Sequence, residues 1–206
     1  MTPPAPATST APQAAVPHGP QRFDAVVIGG SAGSVDVLLQ LMPALRPGLS
    51  ATVLIIVHQP PERTSLLASI LARRCALPVA EAQDKQIPLP GHLYVAPPSY
   101  HLLVDQGPTL ALSVDEPVHF SRPSIDVLFE SAADVYRQRV LAVLLSGSSA
   151  DGARGLAGVL ACGGQAIVQD PASASMAFMP QAALDLNLGT HTMTPDQLAH
   201  FLSTLP

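Results

Sequence analysis

Charge, cysteine and long hydrophobic runs are all scarce in this chain, and each scarcity excludes something. Only 12% of the 206 residues are charged, with a formal net charge of -5. The basic footprint of a nucleic-acid binder is missing, so no nucleic-acid partner is expected. Cys75 and Cys162 are the only cysteines, too few and too far apart for a disulfide framework or a thiolate metal site. Both fall in apolar helical stretches and read as small buried thiols. No apolar run approaches the roughly 20 residues that a membrane span needs. No Lys or Arg precedes an apolar stretch near the N-terminus, so neither a secretory signal nor membrane insertion is expected. These absences point to a cytoplasmic protein.

What is present is a core. Hydrophobic residues make up 48% of the chain, enough for one full core and too little for two comfortable domains. Residues 1–21, "MTPPAPATSTAPQAAVPHGPQ", are dominated by Pro, Ala, Ser and Thr. They lack the apolar side chains that offset ordering entropy, and read as a flexible tail ahead of one domain at 22–206. From Phe23 on, apolar runs alternate with helical patterns. "AVVIG" and "ATVLIIV" read as strands, Val35–Leu45 as an amphipathic helix, and Thr64–Cys75 as a helix capped by Thr64 or Ser65. "LPVAEA", "HLYVAP", "HLLVD" and "TLALSV" are short runs with Pro and Gly between them, a small, partly antiparallel β excursion. "SIDVLFESAADVY" follows as a helix capped by Ser124, then the strand "VLAVLLSG", a helix over Asp151–Ala161 and the strand "QAIVQD". Helices near Pro180–Leu186 and Pro195–Leu202 close the chain. The expected fold is α/β: a doubly wound, mostly parallel sheet with helices on both faces.

In such a sheet, ligands gather beyond the C-terminal ends of the strands. Three apolar strands end in a chemically distinctive residue: Ser31 in "VVIGGSAG", His58 in "VLIIVHQPP" and Asp151 in "VLAVLLSGSSADGA". Serine, histidine and aspartate are what acyl transfer needs. A base must take the serine proton as the hydroxyl attacks, and a carboxylate must hold the imidazole in the right tautomer. Backbone N–H groups at the start of the following helix, and a second donor from the turn Gly147-Ser148-Ser149, can face an oxyanion. Each piece alone has a plainer explanation. Gly29-Gly30-Ser31-Ala32-Gly33 matches G-x-S-x-G, but short patterns arise by chance in glycine-rich loops. His58 suits a structural histidine, and Asp151 suits a helix cap. The agreement of three strand ends is the stronger signal.

Two rival readings fit less well. A dinucleotide fold wants G-x-G-x-x-G and an acid closing the second strand; here Ile28 takes the place of the first glycine and His58 ends the strand. The α/β-hydrolase order of serine, acid, histidine would need a late histidine such as His191 or His200, with Asp151 or Asp170 as the acid.

With these residues in view, the chain from about Phe23 resembles the catalytic domain of the chemotaxis receptor methylesterases, the CheB family. "VVIGGSAGS" is similar to the family's nucleophile turn and "IIVHQPPERTSLLASILARRC" to the segment with its histidine. "EAQDKQIPLPGHLYVAPPSYHLLV", "SRPSIDVLFESAA", "VLLSGSSADGARGL" and "GGQAIVQDPASASMAFMPQAA" follow in the family's order. The resemblance implies Ser31 as nucleophile, His58 as general base and acid, and Asp151 as its orienter. It implies hydrolysis of glutamyl methyl esters on the cytoplasmic domain of methylated chemoreceptors, with glutamine deamidation in some members, and no metal or organic cofactor. Several positions depart from the family pattern. Ala32 stands for a threonine, Ser34 and Phe178 for glycines, and Ser148 for a methionine whose backbone helps hold the oxyanion. An altered rate or substrate fit is expected, since a backbone donor survives a side-chain change. The family's N-terminal receiver domain has no counterpart here, so control by aspartyl phosphorylation within this chain is not expected.

The remaining candidates read as structural. Arg122 caps a loop, and His101 and His119 are surface histidines of the β excursion. His92, His191 and His200 lack ligand partners at zinc spacing. Asp84, Asp115 and Glu116 solvate loops, and Asp170 starts a turn. Met176, Phe178 and Met179 form an apolar cluster suited to core packing.

Overall fold

The computed structural model describes residues 22–59 and 65–206. The tail at 1–21 and the Thr64 end of the second helix therefore lie outside the described residues. The elements run β1 (Ala25–Gly30), α1 (Ser34–Leu41), β2 (Thr52–Val57), α2 (Leu67–Ala72), β3 (Val79–Glu81), β4 (Leu93–Val95), β5 (His101–Asp105) and β6 (Thr109–Ser113). Then follow α3 (Ile125–Tyr136), β7 (Val140–Leu144), α4 (Ala153–Ala161), β8 (Gln165–Gln169), α5 (Phe178–Leu184), β9 (His191–Met193) and α6 (Pro195–Ser203).

Seven strands form one parallel sheet in the order β3-β4-β2-β1-β7-β8-β9. β5 and β6 make a separate antiparallel pair. β1, β2 and β7 are buried along their whole length, which explains why they read as continuous apolar runs. The pleat sends alternate residues to opposite faces. Ala25 and Val27 join one core with Leu128 and Phe129 of α3, Leu156 of α4 and Met179 of α5. Val26 and Ile28 join the other with Leu38 of α1, Leu71 of α2 and Leu198 of α6. Helices thus cover both faces, as expected.

Some boundaries differ from the sequence reading. The first helix ends at Leu41 and a single 3-10 turn, Met42–Ala44, takes the chain onward; Pro43 inside that turn has no N–H to continue an α-helical ladder. The second helix starts at Leu67, and Ser65 Oγ accepts the Leu67 N–H at 3.2 Å. The fourth helix starts at Ala153, leaving Asp151 in the loop ahead of it. Of the four short middle runs, two (β3 and β4) extend the parallel sheet and two form the antiparallel pair. β9, three residues at the sheet edge, was not expected.

Candidate active site

The strand order switches side at β1. From β1 the chain passes to β2 on one side, and β7 later lies on the other. This is the switch point where a doubly wound sheet opens a crevice. Gly30 is in register with Val57, and the His58 N–H donates to the Gly30 carbonyl at 3.1 Å. Ser31 and His58 are therefore the next residues beyond one paired register. On the other side the Ser31 N–H donates to Ser146 O at 2.9 Å. Ser31 thus stands between the histidine strand and the loop that carries Asp151.

Two glycines make the turn possible. Gly33 has φ +80° and caps α1, a conformation that L side chains rarely adopt. A Cβ at Gly29 would lie 2.3 Å from Ile125 Cγ2, so only glycine lets the start of α3 rest on the end of β1. Ser34, fully buried, donates its hydroxyl to Ser31 O at 2.6 Å and its N–H to the same oxygen at 3.0 Å. The turn is closed and the Ser31 side chain is left half-buried at its tip.

Asp151 is fully buried and takes four hydrogen bonds. Oδ2 accepts from Ile125 N at 2.7 Å and pairs with His58 Nε2 at 2.8 Å. Oδ1 accepts from Ser124 Oγ at 2.8 Å and Asp126 N at 3.0 Å. The carboxylate thus sits on the N-terminus of α3, where orphan N–H groups and the helix dipole favour an anion. Burial by itself raises the Asp151 carboxyl. The hydrogen bond from His58, those from the Asp126 and Ile125 N–H groups, and that from Ser124 outweigh it, and the group lies below the ordinary aspartate value. An ionised Asp151 accepts from His58 Nε2, so Nε2 carries the ring proton and Nδ1 is the nitrogen with a lone pair.

Of the three expected residues, His58 and Asp151 are brought into direct contact. Ser31 is their neighbour across the sheet, and among the described residues its hydroxyl makes no hydrogen bond to His58. Nδ1 instead has Ser121 Oγ at 3.4 Å, a residue that the sequence reading missed. The Ala32 and Gly33 N–H groups have no partner among the described residues, which suits an oxyanion. In the second turn the Gly147 N–H is taken by Met176 O at 3.0 Å, so of that expected donor turn Ser148 and Ser149 remain.

His101 corrects the surface reading. It is 2% exposed, its Nδ1 accepts the Ser124 N–H at 3.1 Å, and Nε2 lies 3.1 Å from Glu116 O. It therefore fixes the residue that caps α3. His119 is exposed, as expected, and its Nε2 lies 3.4 Å from Asp126 Oδ2. Arg122 does cap a loop, with Nη1 on the Val114 and Asp115 carbonyls at 2.7 and 3.0 Å. Met179 is core, whereas Phe178 and Met176 are exposed. His119, Asp126 and Asp151 each bring one ligand atom within 4.8 Å of the others. Both Asp151 oxygens already accept two hydrogen bonds each. A pocket lined by His58, Ser121, Arg122, Phe120 and Pro123 opens beside the histidine.

The CheB methylesterase family model matches residues 26–202. The chain belongs to the CheB methylesterase family. A Leptospira interrogans relative, provisionally named protein-glutamate methylesterase/protein-glutamine glutaminase, is 37% identical over 183 residues, 89% of this chain and 95% of that protein. A protein-glutamate methylesterase/protein-glutamine glutaminase of Caulobacter vibrioides is 36% identical over 97% of this chain and 58% of its own length. The chain spans about half of the Symbiobacterium thermophilum counterpart, 48%, at 36% identity. The crystal structure of the Thermotoga maritima CheB methylesterase catalytic domain superposes with a TM-score of 0.84 at 28% identity, over 88% of this chain and 97% of that one. The CheB catalytic-domain fold accounts for the parallel sheet and the β5–β6 pair alike. Among the described residues, no helix is long and apolar enough to cross a membrane.

Proposed function

We propose that this CheB-family chain is a serine esterase that hydrolyses glutamyl methyl esters in a protein substrate. Ser31 acts as nucleophile, His58 as general base and acid, and Asp151 as the group that orients the imidazole. The observation that carries this reading is the 2.8 Å His58–Asp151 pair, one register step across the sheet from Ser31. Ser31 Oγ attacks the ester carbonyl while its proton passes to His58 Nδ1. The oxyanion faces the Ala32 and Gly33 N–H groups at the positive end of α1. Collapse breaks the carbon–methoxy bond, and Nδ1 returns the proton to release methanol. Water then attacks the acyl-enzyme, giving its proton to Nδ1. Ser31 leaves as the hydroxyl, and the product is a glutamate carboxylate. With ammonia as the leaving group, the same steps deamidate glutamine, the second activity in the names of the relatives.

The family resemblance supports the cytoplasmic domain of methylated chemoreceptors as substrate, adaptation in chemotaxis as the setting, and the cytoplasm as the location. A second reading, a binding module without turnover, draws on the Ser121 hydroxyl that faces Nδ1 where Ser31 is required. Methanol release from methylated receptor cytoplasmic fragments separates the two. Release that is lost in Ser31→Ala and His58→Ala supports the esterase. No release by the unaltered protein from methylated receptor fragments supports the binding module.

A further inference from the structure

α3 and α4 exchange carboxylates at their N-termini. Asp151, just ahead of α4, accepts the Ile125 and Asp126 N–H groups that open α3. Asp126, in the first turn of α3, returns the arrangement: its Oδ1 accepts Gly152 N at 2.9 Å and Gly155 N at 2.7 Å, the opening of α4. Gly152 is bonded directly to Asp151, so whatever seats the Gly152 backbone sets where the Asp151 carboxylate points. Asp126 is completely buried, and its Oδ2 has no hydrogen-bond partner among the described residues. That oxygen faces the charged or polar tips of His119 Nε2 at 3.4 Å and Arg154 Nε at 3.9 Å without a hydrogen bond, an arrangement that a purely structural helix cap does not need.

We propose that Asp126 is a positioning residue for the esterase reaction, holding the start of α4 so that Asp151 meets His58 and adding a negative charge behind that pair. The proposal rests on the esterase reading. The groups that face Asp126 are Asp151 before α4, His119 at 3.4 Å from the preceding loop, and Arg154 of α4 at 3.9 Å with Glu130 of α3 behind it; His58 lies beyond Asp151. Burial raises the Asp126 carboxyl above its ordinary value, and the neighbouring Asp151 adds to this against the Gly155 and Gly152 hydrogen bonds and Arg154.

Two substitutions in the full chain test the two halves of the proposal. Asp126→Ala removes the acceptor that seats Gly152 and Gly155. Its kcat on the methylated receptor fragment is expected to fall by about 10–100-fold with little change in KM, the effect of a reacting group misplaced by about 1 Å. The downfield proton resonance of the His58 Nε2–H in its bond to Asp151 is expected to broaden or vanish. Asp126→Asn keeps an oxygen for the two N–H groups and removes the charge. It is expected to fold and retain most of kcat. With the carboxyl replaced by an amide, the acid limb of kcat/KM is expected to move to lower pH. An unmoved limb in Asp126→Asn overturns the charge role, and does so even if Asp126→Ala fails to fold. An unchanged kcat and resonance in a folded Asp126→Ala overturns the positioning role. The resonance does not depend on Ser31, so it reads Asp126 even where Ser31→Ala keeps activity and the esterase reading fails.

Discussion

Around His58, the acid side and the nucleophile side are held very differently. Asp151 is buried, receives four hydrogen bonds between 2.7 and 3.0 Å and sits on a helix N-terminus. Ser31 is half-buried and its hydroxyl makes no hydrogen bond among the described residues, Ala32 beside it is exposed, and Nδ1 has the Ser121 hydroxyl at a long 3.4 Å. Within the esterase reading the difference has a use. The base and its orienter are preorganised, so no rearrangement accompanies charge formation on the imidazole. The nucleophile has to swing between base, substrate and acyl state, and a side chain locked by packing could not.

That contrast predicts a separation of activity from stability. Ser31→Ala should lower methanol release by on the order of 10⁶-fold while unfolding free energy changes by less than about 0.5 kcal/mol. Asp151→Ala should lower release by on the order of 10⁴-fold. It should also cost about 3–5 kcal/mol in denaturant unfolding, because Ile125 N, Asp126 N, Ser124 Oγ and His58 all lose a buried partner. Equal destabilisation in the two variants would break the comparison.

Acid titration sharpens it. The folded-state value of Asp151 lies below its ordinary one, so its contribution to stability is full above about pH 4 and disappears as pH falls through the lowered value. Asp126 is raised, and its sign is opposite: the folded state binds that proton more tightly than the unfolded chain, so stability is gained as pH falls through the raised value. Urea unfolding between pH 6 and 3 should therefore show Asp151→Asn losing less stability toward acid than the unaltered protein. Asp126→Asn should lose more.

The same contrast explains what was legible in the sequence. β1, β2 and β7 are buried on both faces, so their apolar runs were plain; Ser31 and His58 directly follow β1 and β2, whereas Asp151 lies in the loop beyond the end of β7 at Leu144. Ser124 also announced its helix, accepting Val127 N at 3.5 Å. Asp151 looked like a cap for the helix that follows it, yet it caps α3, a partner 26 residues earlier that no local pattern reveals. Buried His101 and Asp126 and half-buried Ser121 were hidden for the same reason: their roles depend on which loops the fold brings together. β9 has three residues and gains its strand character from pairing with β8, with too few positions for alternation to show.

The smallest effect concerns Ser121. Val118 and Ser121 exchange backbone hydrogen bonds at 3.2 and 2.9 Å around His119 and Phe120, which have φ +48° and +60°. This is the geometry of a tight turn that normally recruits asparagine and glycine. It holds the Ser121 hydroxyl against Nδ1, where that hydroxyl engages the lone pair that Ser31 needs. A hydrogen bond this long is weak, worth under about 1 kcal/mol. Ser121→Ala should then raise kcat/KM by less than about fivefold, with stability unchanged. A drop of tenfold or more would instead make Ser121 a working partner of His58. The looseness of the nucleophile side would then be only apparent, with Ser121 as firmly part of the site as Asp151.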